Sequence, residues 1–328
     1  MEQAPRANGL PVRECSVEQA IRERHCGDTA VTGGGSDEGP VPFAMPERLE
    51  IVDSTNRYLV KLVSAGLPGG SEVPEGYAVV ADHQTDGRGR LGRRWVAPPG
   101  TAVLCSILLK PDLGPGQLHL AAWAVALAAA RACRATAGVE LSLKWPNDLV
   151  AVAGEDGAKV EARPGRAESE RKIGGILSEI LPPPADGDPG GRVARSSSGI
   201  VVGIGINVNW PPGWPPADSE DPDLVSIAGG ATSLNRITGR QIDRGELVGH
   251  LLTGMGTWAT MLASHEGRRE IASQYRLACA TVGREVRVEL ADETVTGRAL
   301  DLDDEGCLLV SAGAGIRTIS AGDVVHVR

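Results

Sequence analysis

Four arginines and three glycines fall within eight residues, Gly-Arg-Gly-Arg-Leu-Gly-Arg-Arg at 87–94, with no acid among them. Glycine lets a backbone bend sharply and approach a ligand closely. Arginine supplies a rigid fork of donors that suits phosphates and carboxylates. Residues 83–95 therefore predict a loop that is mobile when empty, because like charges repel, and that orders around an anion. Trp95, at its end, is suited to cover a flat group such as a nucleobase and to exclude water. A solvated basic turn or an Arg/Gly RNA-binding loop reads from the same residues. A P-loop does not, because no Gly-Lys-Ser/Thr follows.

Four further stretches carry polar groups in patterned places. Lys144-Trp145-Pro146-Asn147-Asp148 sets an amide and a carboxylate on a turn. Asp148 offers Mg²⁺ an oxygen ligand, and Lys144 suits a phosphate or Asp148 itself. Pro-Asn-Asp is equally plain turn chemistry. Lys172-Ile173-Gly174-Gly175-Ile176-Leu177 opens a strand on a lysine and places paired glycines inside it. Glycine weakens a strand interior, so something approaches closely there. A lysine at a strand end can meet developing negative charge, or be one more surface charge. In Val201–Asn209, Gly203 and Gly205 alternate within a β-branched run. Asn207 and Asn209 are placed to donate to phosphate or adenine, while core packing accounts for the glycines nearly as well. Ser54-Thr55-Asn56 joins hydroxyls to the free N–H groups of a helix start. N-capping alone explains Ser54.

These groups need a sheet and helices to hold them. Asp53 or Ser54 as N-cap and Gly66 as the residue past the end bound one helix. Strands are predicted at 77–81, 102–109, 141–145, 149–152, 172–181 and 200–209. Residues 117–137 form an Ala-rich helix, apolar on most faces, which must pack deep against the sheet. Residues 211–223 read as a Pro-rich loop, and helices follow near 244–265 and 268–279. From Val282 the pattern changes to short strands between Asp, Gly and Glu turns, which predicts a small closed β-barrel. The expected organisation is a flexible extension at 1–45 with a short helix near 17–24, an α/β body at 46–280 and the barrel at 281–328. Polar insertions interrupt the body at 154–171 and 182–198.

Composition narrows the function classes. A chain of 328 residues, 41% apolar and 23% charged, is globular and long enough for one large domain and a small one. A net charge of −9 argues against coating nucleic acid. Arginines number 28 against five lysines, so each of Lys61, Lys110, Lys144, Lys159 and Lys172 can be weighed singly. Six cysteines show no metal-knuckle spacing, and a chain of this length does not need disulfide staples. The N-terminus lacks the apolar run of a signal peptide. The longest apolar stretch, 118–130, falls short of the roughly 18–20 residues that span a membrane. These features predict a cytoplasmic protein with free thiols and neither nucleic-acid nor membrane partners.

In order and spacing, the motifs together resemble the biotin protein ligases, or biotin–[acetyl-CoA-carboxylase] ligases. The matching residues are Ser54-Thr55-Asn56; Gln84 with 87–93 and Trp95; Lys144–Asp148; Lys172–Leu177; and Gly203–Asn207. The resemblance covers roughly residues 46–328. It implies an α+β fold, a class II synthetase-like mixed sheet with flanking helices, ending in an SH3-like barrel. It implies a two-step, ATP-dependent reaction: biotin carboxylate attacks the α-phosphorus to give biotinyl-5′-AMP and pyrophosphate, and a carrier lysine then displaces AMP. The implied substrates are biotin and ATP with Mg²⁺. The implied partner is the biotin carboxyl carrier domain of acyl-CoA or pyruvate carboxylases, with the ligase a monomer or weak homodimer. By matching positions, Ser54, Thr55, Asn56, Gln84, Arg88, Gly89, Arg90 and Lys172 would bind biotin. Arg90, Trp95, Asn147, Asp148 and Asn207 would bind nucleotide, Asp148 would hold Mg²⁺, and Lys172 and Arg90 would be catalytic.

Two departures from the family pattern stand out. Leu91 replaces a residue that is often basic, and Asp86 replaces one that is commonly small; Asp86 is expected to pair with Arg88 or Arg90. No helix-turn-helix reader is visible, so repressor activity is not expected. A lipoate–protein ligase shares the fold and adenylation chemistry but lacks this Gly/Arg loop. A non-catalytic biotin sensor and an Arg/Gly RNA-binding module are the readings from other classes.

Overall fold

The strand β3 (Ala102–Leu109) is buried at every residue, so both of its faces must be covered. Its odd residues Val103, Cys105, Ile107 and Leu109 join the larger apolar core. Leu108, on the other face, joins a smaller one. The computed structural model describes residues 43, 45–67, 69–152, 170–181, 199–313 and 315–327. The expected extension with its short helix, and the two insertions apart from residues 170–171, lie outside the described residues.

Seven strands form one mixed sheet: β1 (Glu47–Val52), β2 (Ala78–Gln84), β3, β4 (Ser142–Lys144), β5 (Asp148–Val152), β6 (Glu170–Leu181) and β7 (Gly199–Asn207). Their order is β1-β2-β3-β7-β6-β5-β4, with β1 and β2 parallel and the remaining pairs antiparallel. One face is covered by α2 (His119–Ala137), α5 (Arg244–Ala263) and α6 (His265–Ala278). Thirteen of the nineteen α2 residues are buried, and exposure is confined to Arg131, Arg134 and Ala135 near its end. It is long and apolar enough to pass for a membrane span by composition, yet most of it is inside the fold. Its end at Gly138 (φ 69°) is the left-handed cap expected there.

The opposite face is covered over only part of its length by α1 (Thr55–Ala65), whose Tyr58, Leu59 and Leu62 pack with Leu108 and Val201. Ser54 caps that helix, its hydroxyl accepting from the Arg57 amide. Three elements depart from the expectations. β1 precedes α1 as an edge strand. The Pro-rich stretch at 211–223 runs into α3 (Pro222–Gly230) with Asp221 as its cap, and α4 (Leu234–Thr238) follows. Pro222 at the first helical position, after a capping acid, is a helix start that reads as loop when prolines are counted alone.

The terminal strands are β8 (Glu285–Glu289), β9 (Thr294–Leu302), β10 (Leu308–Ala312), β11 (Gly315–Ile319) and β12 (Asp323–His326). They form an antiparallel sheet ordered β11-β10-β9-β8-β12. The closed barrel expected here is therefore corrected: among the described residues, no pairing joins β11 to β12. Instead β12 turns toward the α/β body, where Asp323, Val324 and Val325 help to wall a cavity.

Candidate active site

Where α1 stops covering the sheet, a cavity of ≈ 390 Å³ opens. All of the residues expected to form the site line it, although they come from positions 54 to 207. Its floor is the glycine-bearing face of β7 and β6. Gly205 faces Gly175 across the two strands, and Gly203 faces Leu177.

At one part of the floor a polar knot fixes the start of α1. Gln84 Oε1 accepts from the Thr55 amide (2.8 Å) and lies 3.0 Å from Thr55 Oγ1. Ser106 Oγ, fully buried on β3, lies 2.7 Å from Thr55 Oγ1 and 2.6 Å from Asn56 Oδ1. The Asn56 amide donates to Leu177 O and to Glu179 Oε1, each at 3.1 Å. Both Asn56 amide hydrogens are thus spent inside the protein. A Cβ at Gly203 would stand 2.1 Å from Asn56 Oδ1, so that glycine answers to a side chain. Asn207 is alike: it is 4% exposed and its amide donates to Thr232 O at 3.1 Å. Ser106 was not anticipated, although a lone hydroxyl in an apolar strand is a visible signal.

Two residues further along β7, about 7 Å, the indole of Trp95 lies across Gly205. A Cβ there would be 2.5 Å from Trp95 Cε2. Lys172 Nζ sits 5.9 Å from the Trp95 ring centroid and 2.6 Å from Asp148 Oδ1. Strict alternation would send Lys172 and Gly175 to opposite faces of β6. The β5–β6 register shifts between Leu149 and Val150, leaving Asp148 opposite Gly175 but Val150 opposite Lys172. This bulge re-aims Lys172 into the cavity. Lys144, expected as a partner of phosphate or of Asp148, also lines the cavity, but the acid's ion-pair partner is Lys172. Burial pushes the Lys144 ammonium below its ordinary value, against the opposing pull of Asp148 and Glu170.

The Gly/Arg loop closes on itself across its base. Arg88 and Arg94 form an antiparallel bridge, Gly89 N donates to Arg93 O (2.7 Å) and Trp95 N donates to Gly87 O (2.9 Å). A Cβ at Gly87 would meet Trp95 O at 2.4 Å, so only glycine fits there. Leu91 adopts φ 54° at the exposed tip. The loop's arginines divide in two. Arg93 pairs with Asp323 of β12, and Arg94 lies 3.5 Å from Asp221 and 3.7 Å from Asp223 beside α3. All four line the cavity, Arg88 and Arg90 with Gly89 between them. Arg90 reaches Asn147 Oδ1 at 3.4 Å, and burial lowers its pKa. A desolvated guanidinium gains from an incoming anion. Asp86 does not pair with Arg88 or Arg90 as expected. It meets Arg57 at 2.7 Å, and Arg57 also holds Asp53 at 2.8 Å, which pins the foot of the loop to the start of α1.

The Trp145–Asp148 turn is held from several sides. Asn147 donates to Ile176 O (2.9 Å), Trp145 Nε1 to Gly306 O (2.9 Å) and Tyr275 OH to Pro146 O (3.4 Å). Tyr275 stacks on Trp123 with ring centroids 4.1 Å apart. Asp148 is one carboxylate, and no cluster of three or more metal-type ligands occurs among the described residues. One carboxylate is far short of the six or more oxygen ligands that a resident Mg²⁺ or Ca²⁺ ion takes.

The arrangement can neutralise two anions on one floor, under an aromatic cover. Residues 49–183 match the model of the Biotin/lipoate A/B protein ligase family, and 281–327 match the Biotin protein ligase C terminal domain. The chain is 31% identical over 286 residues to a biotin–[acetyl-CoA-carboxylase] ligase of Mycobacterium tuberculosis, covering 86% of this chain and 90% of that one. It is 32% identical over 254 residues to the bifunctional ligase/repressor BirA of Bacillus subtilis, covering 77% and 67%. Among solved structures, the biotin protein ligase of Aquifex aeolicus in complex with biotin and ATP superposes with a TM-score of 0.60 at 26% identity, covering 86% and 97%.

Proposed function

We propose, from the premise that this chain belongs to the biotin protein ligases, that its cavity joins biotin to ATP and hands the product to a protein lysine. It is a biotin–[acetyl-CoA-carboxylase] ligase. Biotin carboxylate attacks the α-phosphorus of ATP, forming biotinyl-5′-AMP as pyrophosphate leaves. The amine of a carrier lysine then attacks the mixed anhydride, forming the amide and expelling AMP. The acceptor is a biotin carboxyl carrier domain of an acyl-CoA or pyruvate carboxylase, met in the cytoplasm.

The observation that carries this reading is Lys172, turned into the cavity by a bulge, paired with Asp148 and roofed by Trp95. A carboxylate and a triphosphate repel one another, and fixed cations must cancel that repulsion before bond formation. Lys172 is placed to bridge the biotin carboxylate and the α-phosphate. Arg90, already short of water, is placed to hold the phosphate. The free amide of Gln84 and the hydroxyls of Ser54 and Thr55 suit biotin's ureido group, with Arg88 and Gly89 closing over it. Asn56 serves the biotin end through the knot it builds, and Asn207 the nucleotide end through Thr232. Asn147 and Asp148 face the nucleotide, and Asp148 would give one oxygen to the Mg²⁺ that accompanies it. Trp95 excludes water from the anhydride.

Biotin-dependent ATP–pyrophosphate exchange with Mg²⁺, run beside lipoate, tests the reading. Exchange with biotin alone is expected. Exchange with lipoate alone would overturn the substrate assignment. Biotin binding without exchange would make the protein a sensor.

A further inference from the structure

Thr281 and His326 stand outside the cavity wall, yet they connect two parts of the site. Thr281 is fully buried, and its hydroxyl oxygen accepts from the Trp145 amide at 3.1 Å. His326 Nε2 lies 3.2 Å from the same oxygen, and His326 Nδ1 lies 2.9 Å from Glu170 Oε2. The imidazole is 4% exposed and the Glu170 side chain 9%. Arg284 holds the other carboxylate oxygen at 2.7 Å.

These contacts form one chain. The Thr281 oxygen receives the Trp145 amide proton and stands between His326 Nε2 and the Cys279 thiol, while His326 Nδ1 meets the Glu170 carboxylate. One end of this chain is Trp145, which begins the turn bearing Asn147 and Asp148. The other end is Glu170, two residues before Lys172. Both ends belong to the α/β body that carries the site. The middle comes from Thr281 and from β12. Ala280 N also donates to Leu143 O at 2.7 Å, fastening the same junction.

We propose that Thr281 and His326 are positioning residues for nucleotide activation: their hydrogen bonds fix the Trp145–Asp148 turn against the start of β6, and so fix Asp148 against Lys172. The inference rests on the ligase reading above. An unpaired amide or imidazole in this dry junction would be costly, so the chain holds as a unit or not at all.

The experiment measures biotin-dependent pyrophosphate exchange on the full chain for Thr281→Val, Thr281→Ser, His326→Leu and the Thr281→Val/His326→Leu double variant. Near-UV circular dichroism first establishes that each is folded at the assay temperature. Thr281→Val and His326→Leu are expected to raise the KM for ATP at least about tenfold, because sub-ångström to 1 Å displacements at reacting groups are costly. The KM for biotin is expected to change less than about twofold, and Thr281→Ser to restore wild-type values. The double variant should be no worse than either single one, since the two residues act in one chain. Calorimetric ATP affinity on the same proteins reads the inference independently of turnover. Unchanged KM and affinity for ATP in folded variants, or additive losses in the double variant, would overturn it. A wild-type protein that fails to exchange with biotin strikes the ligase reading instead, and its ATP affinities still decide this one.

Discussion

Gly205→Ala separates a packing role for Trp95 from a catalytic one. The added methyl would lie 2.5 Å from Cε2, 2.6 Å from Cζ2 and 2.9 Å from Cδ2 of the indole. Carbon atoms settle about 3.5–4.0 Å apart, so the ring must withdraw by about 1 Å. Its backbone is fixed by the bond from Trp95 N to Gly87 O. The free direction is into the cavity, where Lys172 lies over the ring. Overpacking of this kind costs about 1–3 kcal/mol of stability. Displacing a group against the reacting atoms by about 1 Å costs about 100-fold in rate. The expected result is a modest drop in melting temperature and a fall of about 100-fold in kcat/KM for ATP in biotin-dependent exchange. A folded Gly205→Ala protein within about threefold of wild type would refute the placement of the indole over the nucleotide and anhydride. Gly203→Ala is the contrast. Its methyl would meet Asn56 Oδ1 at 2.1 Å and break the polar knot, so its loss should appear first in melting and in biotin KM.

Three further outcomes are expected. Lys172→Ala should lower adenylation about 100- to 1,000-fold while circular dichroism stays native; retained exchange would sink its catalytic assignment. Arg90→Gly should speed release of biotinyl-AMP, read as labelling of added bystander protein, and release no faster than wild type would disprove its retaining role. His119, against Trp123 and Gly306, has its pKa pushed from 6.5 down to about 4, chiefly by burial. The unfolded chain binds that proton from about pH 6.5 downward and the folded one only near pH 4, so stability falls as pH drops through this window, by about 3 kcal/mol. Urea melts between pH 7.5 and 4.5 should show this slope flattened in His119→Phe, and an equal slope would disprove the attribution.

Local physics made much of the fold readable. Ser54 as cap, Gly138 as stop and the fully apolar 102–109 run each report their own surroundings, and each appears where expected. The motif residues also converge on one cavity. What could not be read depends on partners far along the chain. The Asp86 carboxylate found Arg57, which a local reading of the loop does not suggest. The amides of Asn56 and Asn207 are spent on Glu179, Leu177 and Thr232. The bulge that turns Lys172 inward is invisible to a period of two. Tyr275, Ser106 and Asp323 sit in ordinary helical or strand patterns, and nothing but the tertiary fold brings them to the site. The open terminal sheet has the same cause, because β12 faces the catalytic body.

The strand order has a consequence for how the protein is made. β3 pairs with β7, Ala102 against Asn207, so the centre of the floor unites segments about a hundred residues apart. Pairings this distant fold slowly, because loop closure precedes the gain from contact. During synthesis, β3 leaves the ribosome with one flank bare until β7 follows, and the cavity lacks a wall until β12 emerges. An apolar strand edge exposed for that interval is a template for association with other chains. Yield of soluble protein should therefore depend on translation speed and holding chaperones more than the stability of the finished fold would suggest.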